Sequence, residues 1–261
     1  MKLTPTTIDI LQYPTEFHAL LRGAKIFDSS CSTEAKVIFI DKDCGYFLKS
    51  APKGTLERES ALTRYFHDIG LSANVIEYIS DDSDWLLTEK IHGDDGTAAK
   101  YLESPKRLCD TLAEQLALLH RTDFTDCPVQ NHTERYLEKA KFNKNANVND
   151  MSFYTTDFGE SSPDEVWSIA KNHGHSLATN TLLHGDYCLP NIILNDWKFS
   201  GFIDLDSGGV GDRHVDVFWG AWTLFFNLGT NKYRERFLDA YGRSQIDDSL
   251  LRIVAAVTVF G

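Results

Sequence analysis

Short hydrophobic runs separated by polar turns characterise the first third of the chain. The runs at 36–40 (KVIFI) and 46–49 (YFLK) flank the polar segment DKDCG, which predicts a hairpin that turns at Gly45. Two more strand-like runs follow at 74–79 (NVIEYI) and 85–91 (WLLTEKI). We therefore expect this part of the chain to form a small antiparallel sheet.

A helix is predicted between these two pairs of strands. Leu62, Phe66 and Ile69 recur at intervals of four and three residues, which is the spacing of one helical face. Gly70 follows at a position suited to cap the carboxyl end of the helix. The polar, glycine-rich HGDDGT at 92–97 then interrupts the pattern and predicts a boundary.

Helical spacing dominates the rest of the chain. Ser104 and Pro105 suit the N-cap and the first turn of a helix. Its apolar stripe consists of Leu108, Leu112, Leu116 and Leu119. A loop is expected at 143–150 (NKNANVND) and a second helix at 163–171. One more strand, KFSGFIDL, precedes the apolar helices that are expected to follow.

The order of these elements predicts an α+β fold with two lobes. A chain of 261 residues is long enough for two lobes that share an interface. We expect a small antiparallel-sheet lobe over residues 1–92 and a larger, mainly helical lobe over residues 93–261.

Acidic residues outnumber basic residues by 38 to 26, which gives a formal net charge of −12. An acidic surface repels nucleic-acid phosphates and anionic lipid, so neither nucleic acid nor a membrane is expected as a partner. The charge suits a cationic small molecule, and it is also compatible with ordinary solubility.

The remaining composition concerns the cellular compartment. No apolar run approaches the roughly 20 residues needed to cross a bilayer, and the first residues lack the apolar core of a secretory signal. Five cysteines, none in a CxxC pair, indicate free thiols rather than a disulfide framework or a zinc site. We therefore expect a cytoplasmic protein.

The segment LLHGDYCLPNIIL, at 182–194, carries several polar side chains on one short loop. Asp186 and Asn191 are five residues apart, as are the Asp and Asn of the catalytic loop of kinases. Asp204 follows the apolar run FSGFI, where a carboxylate suits a metal ligand. These residues predict phosphoryl transfer: Asn191 and Asp204 hold Mg²⁺, while Asp186 orients an attacking hydroxyl and takes its proton. The alternative is a turn rich in Asp and Asn without catalytic meaning.

Kinase chemistry also requires a lysine on an early strand and a glutamate on the next helix. Lys49 ends the run YFLK, and Glu59 lies ten residues later, on the face of Leu62 and Phe66. An acid on an apolar stripe is expected to be paired or functional. We predict a Lys49–Glu59 ion pair that holds the lysine against the α- and β-phosphates of a nucleotide.

Several segments together resemble one known family. HGDYCLPNI, SGFIDLDSGGVGDRHVD, CSTEAKVIFI and WLLTEKIHG are similar to segments of the aminoglycoside 3′-phosphotransferases, and the similarity spans nearly the whole chain. The resemblance implies a protein-kinase-like two-lobe fold. It also implies transfer of the γ-phosphate of ATP, or of GTP, with Mg²⁺ to the 3′-hydroxyl of an aminoglycoside antibiotic, which is a resistance activity.

The resemblance assigns roles to individual residues. Asp186 matches the catalytic aspartate, Asn191 and Asp204 match the magnesium ligands, Lys49 and Glu59 match the nucleotide-positioning pair, Ser32 matches the loop serine that approaches the phosphates, and Glu89 and Ile91 match the hinge positions whose backbone binds adenine. His184 and Asp216 look like supports of the loops.

Departures from the family pattern concern the acceptor. Asp206 and Ser207 stand where the family usually has Gly-Arg, and Trp222 and Phe226 stand where Arg and Glu are expected. The two aromatic residues are either plain core or an aromatic wall for a different acceptor, such as a cation bound over the rings.

Two acids remain available to a cationic acceptor. Asp157 and Glu160 fall in TTDFGESSPDE, in the loop region that is expected to cover the acceptor. The alternative acceptor is therefore another small hydroxylated amine or sugar.

Other classes of function agree less well with the sequence. A nucleophilic enzyme would use Cys188 with His184, and GGVG at 208–211 would suggest dinucleotide binding, but the sequence places no further motif for either. A non-enzymatic, pseudokinase-like nucleotide-binding module would be expected to lack Lys49, Asp186 or Asp204, and all three are present.

Overall fold

The computed structural model describes residues 3–31, 35–159 and 161–261, in two compact units. The first unit runs to Ala98 and also contains Ile192–Asp206, while the second contains Ala99–Asn191 and Ser207–Gly261. The division is not a single cut in the sequence, because Ile192–Asp206 returns to the first unit. The functional boundary expected after residue 92 stays a prediction.

The elements are numbered in chain order. The strands are β1 (Thr4–Thr6), β2 (Lys25–Asp28), β3 (Lys36–Asp41), β4 (Tyr46–Pro52), β5 (Val75–Ser80), β6 (Ser83–Glu89), β7 (Asp94–Asp95), β8 (Thr181–Leu183), β9 (Ile192–Asn195), β10 (Lys198–Phe202) and β11 (Gly209–Gly211). The α-helices are α1 (His18–Leu21), α2 (Glu57–Asp68), α3 (Ala99–Leu102), α4 (Pro105–Leu119), α5 (His132–Asn145), α6 (Pro163–His173), α7 (His214–Leu228), α8 (Arg234–Gly242) and α9 (Asp248–Thr258). Short 3₁₀ turns occupy Ile10–Gln12, Thr15–Phe17, Met151–Phe153, Thr156–Phe158, Gly174–Ser176, Leu189–Asn191, Asn231–Tyr233 and Arg243–Gln245.

An antiparallel sheet in the order β1-β2-β3-β4-β6-β5 dominates the first unit. The predicted hairpin of β3 and β4 is confirmed, with Val37 opposite Lys49 and Gly45 in the turn at φ +85°. Buried side chains that form its main core include Phe17, Leu21, Ile38, Ile40, Leu48 and Leu87. The sequence pattern missed β1 and β2, because β1 carries almost no buried side chain and β2 buries one residue.

Helix α2 follows the predicted face and ends at the predicted cap. Leu62 and Phe66 are fully buried. Gly70 has φ +78°, its N–H donates to His67 O at 2.8 Å, and the N–H of Leu71 donates to Phe66 O at 2.7 Å. This pair of bonds is the Schellman motif, which a glycine favours because the position needs a left-handed backbone.

A second, smaller sheet of the first unit includes part of the polar segment at 92–97. Inside that polar segment, β7 pairs with β9, Asp95 lying opposite Ile193, and β9 pairs with β10. A Cβ at Gly93 would lie 2.4 Å from Leu194 O, so the close approach of the two backbones requires glycine. The sequence pattern does not predict β7, because its partner strand lies about a hundred residues later in the sequence, beyond the reach of any local pattern.

The second unit is built mainly from helices. The predicted stripe of α4 is confirmed, because Leu108, Leu112 and Leu116 are fully buried. Helix α6 begins as predicted at Pro163, after a capping box formed by Ser162 and Glu165. Within the described residues, no helix is long and apolar enough to cross a membrane.

Helix α5 corrects the loop expected at 143–150. It runs to Asn145, so the first three residues of that tract are helical. The buried residues of α5 are His132, Thr133 and Ala140. Such a helix carries no continuous apolar stripe. The sequence pattern therefore does not distinguish its polar carboxyl end, residues 143–145, from a loop.

Candidate active site

Lys49 lies on β4, in the middle of the sheet of the first unit. Its ammonium donates to Glu59 Oε2 at 2.7 Å and to Asp204 Oδ1 at 2.9 Å. Burial by itself lowers the pKa of a lysine, but the attraction of Glu59 and then of Asp204 outweighs it and raises the pKa of Lys49 above its usual value. The raised pKa keeps the side chain of Lys49 protonated, and therefore positively charged, at neutral pH.

Glu59 occupies the first turn of α2 on the face that also carries Leu62 and Phe66. Burial raises the pKa of Glu59 above its usual value, and the ammonium of Lys49 partly offsets this rise. A buried acid without a partner is costly, so the cation of Lys49 is what makes this position tolerable. The ion pair expected between the two side chains is present.

Asp204 follows β10 by two residues. Its carboxylate is about half exposed, at 51%. Its backbone has φ +59°, a left-handed conformation that is uncommon for a residue other than glycine. The neighbouring Leu205 is fully buried and anchors the segment. A partly exposed carboxylate on an anchored segment is available to a ligand.

Three further positions were expected to contact the nucleotide. Glu89 is the last residue of β6, and its N–H donates to Asn74 O at 3.0 Å, while Ile91 lies two residues beyond the strand. Their backbone contacts with adenine stay a prediction. Ser32 lies outside the described residues.

The loop that follows β8 in the second unit carries Asp186. Gly185 has φ +83°, and a Cβ at this position would lie 1.9 Å from Ser207 O. The glycine of the HGD segment is therefore required by both its backbone conformation and a close backbone approach.

Asp216, in the first turn of α7, anchors this loop. Its carboxylate accepts the N–H groups of His184 and Gly185, each at 2.8 Å, and Nε2 of His120 at 3.2 Å. Burial by itself raises the pKa of Asp216, but the hydrogen bond from His120 and the charges and donors around the carboxylate lower it below its usual value. The role of His184 and Asp216 as supports follows from these contacts.

Asn191 fixes the Asp186 carboxylate. Its amide Nδ2 donates to Asp186 Oδ2 at 2.8 Å and to the backbone oxygen of Asp186 at 3.0 Å. Asp186 is partly exposed, whereas both residues that flank it are buried. The carboxylate is thus held in one orientation and still reachable.

Asn191 of the second unit and Asp204 of the first unit each offer an oxygen atom of the kind that Mg²⁺ prefers. The amide nitrogen of Asn191 is occupied by Asp186, which leaves Oδ1 of the amide as a ligand atom. Asp204 offers a half-exposed carboxylate. Among the described residues, no group of three or more His, Cys, Asp or Glu side chains forms a metal cage. Each of these oxygen donors, taken by itself, fits Mg²⁺, which is usually held by one or two protein ligands together with substrate phosphates.

Helix α7 links this loop to an aromatic surface. Thr223 Oγ1 accepts the N–H of Leu189 at 3.0 Å, one further bond between α7 and the loop. Trp219, Trp222 and Phe226 recur at intervals of three and four residues and form what we call the aromatic face of α7. The rings of Trp222 and Phe226 are stacked with centroids 4.9 Å apart.

The aromatic face is not plain core. Phe226 is 65% exposed, and Trp219 and Trp222 are partly buried. Phe153 packs against the two tryptophans, with ring centroids 5.4 Å away in both cases. The alternative that Phe226 belongs to the core is therefore wrong.

Asp157 lies in a different setting from the one expected. Its carboxylate accepts Asn231 Nδ2 at 2.7 Å and lies 3.9 Å from the guanidinium of Arg234. These residues border a pocket of about 180 Å³ whose other lining is largely apolar and includes Trp222. Asp157 is thus already partnered within the second unit. Its contact with an acceptor stays a prediction, and Glu160 lies outside the described residues.

The rival sites find no support in the geometry. Cys188 is buried, and burial raises the pKa of its thiol well above the usual value, which opposes a nucleophilic thiolate. GGVG largely forms β11, which pairs with β8 through Val210 and Leu182. It therefore does not open a helix as a dinucleotide-binding loop does.

Sequence reasoning missed some residues that organise the site. The sequence pattern assigns no role to His120 or to Thr223, which lies within the aromatic segment FWGAWTLFFN at 218–227. A polar residue inside or next to an apolar stripe was the available signal, because a buried polar side chain needs a partner. The identity of that partner was not readable, since His120 bonds Asp216 across 96 positions.

Comparison with known proteins gives a consistent result. Residues 27–252 match the phosphotransferase enzyme family. The chain is 52% identical over 256 residues to a probable aminoglycoside 3′-phosphotransferase of Lactococcus lactis subsp. lactis, covering 97% of each chain. An aminoglycoside 3′-phosphotransferase of Niallia circulans is 31% identical over 169 residues, which is 65% of this chain and 64% of the relative.

Solved structures agree on the fold. An aminoglycoside-3′-phosphotransferase of type VIII superposes with a TM-score of 0.76 at 20% identity, over 96% of this chain and 95% of the other. An aminoglycoside phosphotransferase of Streptomyces rimosus, solved with ADP and streptomycin, gives a TM-score of 0.70 at 20% identity, over 98% and 100% of the two chains. The α+β, protein-kinase-like fold implied by the resemblance is confirmed. The chain belongs to the phosphotransferase enzyme family, the family that includes the aminoglycoside 3′-phosphotransferases.

Proposed function

We propose that this enzyme transfers the γ-phosphate of ATP to the 3′-hydroxyl of an aminoglycoside. One observation carries the chemical half of the proposal: the amide nitrogen of Asn191 donates to the partly exposed carboxylate of Asp186 and to the backbone oxygen of the same residue, an arrangement that would leave the amide oxygen to a metal. The acceptor follows from the relative that is 52% identical over nearly the whole chain.

Each unit contributes a separate part of the reaction. In the first unit, Lys49, held by Glu59, binds the α- and β-phosphates, Ser32 approaches the phosphates, and the backbone at Glu89 and Ile91 binds adenine. In the second unit, Asp186 orients the acceptor hydroxyl towards the γ-phosphorus and accepts its proton. Asn191 and Asp204 would hold Mg²⁺, and the ion would supply positive charge to the phosphate oxygens. The free cysteines agree with a reducing cytoplasm as the place of action.

The acceptor site combines charge and aromatic surface. A net charge of −12 attracts a polycationic amino sugar. Asp157 and Glu160 would contribute acids, and Trp222 and Phe226 would contribute rings over which an ammonium group or the apolar face of a sugar can lie. The exposure of Phe226 favours a second candidate, in which another small hydroxylated amine or sugar is the acceptor.

Turnover by purified protein tests the proposal. ADP release from MgATP is measured with kanamycin, neomycin, choline and simple sugars, in wild type and in Asp186→Asn. General acid–base groups typically contribute about 10²- to 10⁴-fold, so the substitution should reduce kcat by that range and leave MgATP binding nearly intact. Asp82→Asn, at an exposed turn, serves as the matched control and should behave as wild type.

Each outcome assigns a different function. Turnover with a 3′-hydroxyl aminoglycoside, lost in Asp186→Asn, supports the proposal. Turnover with choline or a sugar alone supports the second candidate. Nucleotide binding without turnover on any acceptor would indicate a pseudokinase-like module, and loss of nucleotide binding in Asp186→Asn would contradict the role of this residue. The same assay with GTP determines the preferred nucleotide.

A further inference from the structure

Arg58 precedes Glu59 on α2 and binds one residue through two of its nitrogens. Its Nε donates to the backbone oxygen of Asp206 at 2.7 Å, and its Nη2 donates to Asp206 Oδ2 at 2.5 Å. Both residues belong to the first unit. A guanidinium that binds the main chain and the side chain of the same residue restricts both its position and its orientation.

Asp206 depends on this contact. Its second carboxylate oxygen, Oδ1, is buried and has no hydrogen-bond partner among the described residues. A partly buried carboxylate is unfavourable unless a cation compensates it, and Arg58 is the cation that contacts it. The resemblance implies glycine at this position, where this chain has Asp206.

Arg58 and Asp206 add a second ionic link between α2 and the segment that begins at Asp204. Lys49 joins Glu59 of α2 to Asp204, and Arg58 joins the same helix to Asp206, two positions after Asp204. The segment that begins at Asp204 is thus tied to α2 twice. The second tie matters because Asp204 keeps a left-handed backbone that its surroundings must enforce.

The first tie is not available while the nucleotide is bound. Under the proposed function, on which this inference rests, Lys49 turns to phosphate oxygens and Asp204 turns to the metal. The 2.9 Å ion pair between them then exchanges for contacts to the ligand. The Arg58–Asp206 contact involves neither of these side chains, so this exchange would leave it in place.

We propose that Arg58 and Asp206 are positioning residues that hold Asp204 in place for the metal–nucleotide complex. Their effect is on the affinity for the magnesium nucleotide rather than on proton transfer. Loss of a side chain that orients a metal ligand typically lowers metal affinity by about 10- to 100-fold.

Calorimetric titration of ADP, with and without Mg²⁺, tests the proposal without any acceptor. Arg58→Met and Asp206→Asn should each weaken binding of MgADP about tenfold or more, and should change the binding of ADP without Mg²⁺ much less. The double variant should lose no more than the worse single variant, because both substitutions break one contact. Arg58→Lys, which retains the charge without the planar fork, should recover part of the affinity.

A matched pair elsewhere controls for a general loss of surface ion pairs. Arg236 binds Asp110 in the second unit through the same two guanidinium nitrogens, with similar exposure. Arg236→Met should leave MgADP binding unchanged.

A lower melting temperature in Arg58→Met with wild-type MgADP affinity would overturn the proposal, because it would make the contact purely structural. If wild type itself fails to bind MgADP, the proposed function fails instead.

Discussion

Phe226 presents an aromatic ring to solvent, at 65% exposure, at a position where the resembling family has a charged residue. Its ring is stacked on Trp222, so one face is covered and the other remains accessible. Under the proposed function, an aromatic side chain at this position would hold an acceptor differently from the charged side chain that the resemblance implies. Hydrogen bonds to acids are directional, whereas a ring offers dispersion and attraction for a cation.

Removal of this ring should affect the acceptor selectively. Phe226→Ala should raise KM for the acceptor about threefold to tenfold, because aromatic and cation–π contacts contribute roughly 0.5–1.5 kcal/mol. KM for ATP and the melting temperature should stay near wild type, since the side chain is mostly exposed. Steady-state kinetics with each substrate varied in turn provides the measurement. Phe142→Ala removes another exposed phenylalanine, 72% exposed on α5, and is the control. An unchanged acceptor KM in Phe226→Ala would assign the aromatic face to another purpose.

At the scale of elements, the loop after β8 owes its shape to contacts with other segments. Gly185 approaches the backbone of Ser207, Asp216 accepts two N–H groups of the loop, and Thr223 accepts a third. The sequence contains the glycine and the aspartates, but it contains no sign of the 1.9 Å approach that makes the glycine necessary.

This close approach yields a prediction with an internal control. Gly185→Ala places a Cβ against the backbone oxygen of Ser207, so the loop must shift and kcat should fall at least tenfold, as expected when a catalytic group is misplaced. Gly54 has nearly the same φ, +82°, but open space around its Cβ position. Gly54→Ala therefore measures the cost of a left-handed alanine alone, about 1 kcal/mol. Measured kcat and unfolding free energy should separate the two variants. Equal kcat losses would contradict the steric argument.

Local patterns predicted elements well where burial was periodic. The stripe of α4 and the face of α2 were readable because each helix buries one continuous side. Helix α5 and the pairing of β7 with β9 were not readable, for different reasons. Helix α5 has a mostly polar surface, and β7 is two residues long with a partner that is distant in sequence.

At the scale of the whole molecule, a buried histidine links stability to pH. His120, the residue that directly follows α4, contacts Asp216 of α7 and the hydroxyl of Tyr241 of α8, with Arg213 and His214 nearby. Burial lowers the pKa of His120 below its usual value of 6.5, although Asp216 opposes this shift. The imidazole is thus neutral in the folded protein at neutral pH, and its Nε2 donates to Asp216.

The sign of the pH dependence follows from proton uptake. Just below pH 6.5 an unfolded histidine binds its proton while the folded His120 does not, so the unfolded chain binds more protons. The stabilising contribution is complete above pH 6.5 and is lost as the pH falls towards the lower pKa of the folded state. Urea unfolding at about pH 7.5 and pH 5.5 should show this loss in wild type. His120→Gln should show a smaller loss, and His175→Gln, at an exposed histidine, should match wild type. Identical pH slopes in all three proteins would contradict the assignment.

The sequence by itself determined which chemistry the protein performs. Asp186, Asn191 and Asp204 at their spacings, with Lys49 and Glu59 before them, indicated phosphoryl transfer. This was possible because the reaction needs particular functional groups in a particular chain order, and both are properties of a sequence.

The tertiary structure decided which partners these groups have. Lys49 forms an ion pair with Asp204, which lies 155 positions later in the sequence. Asp206 pairs with Arg58 of α2, and Asp157 accepts a hydrogen bond from Asn231. Burial and long-range contact follow from how strands and helices pack, and no local pattern encodes them. The exposure of Phe226 also depends on tertiary packing, because a phenylalanine in a sequence can be either a core residue or a surface residue.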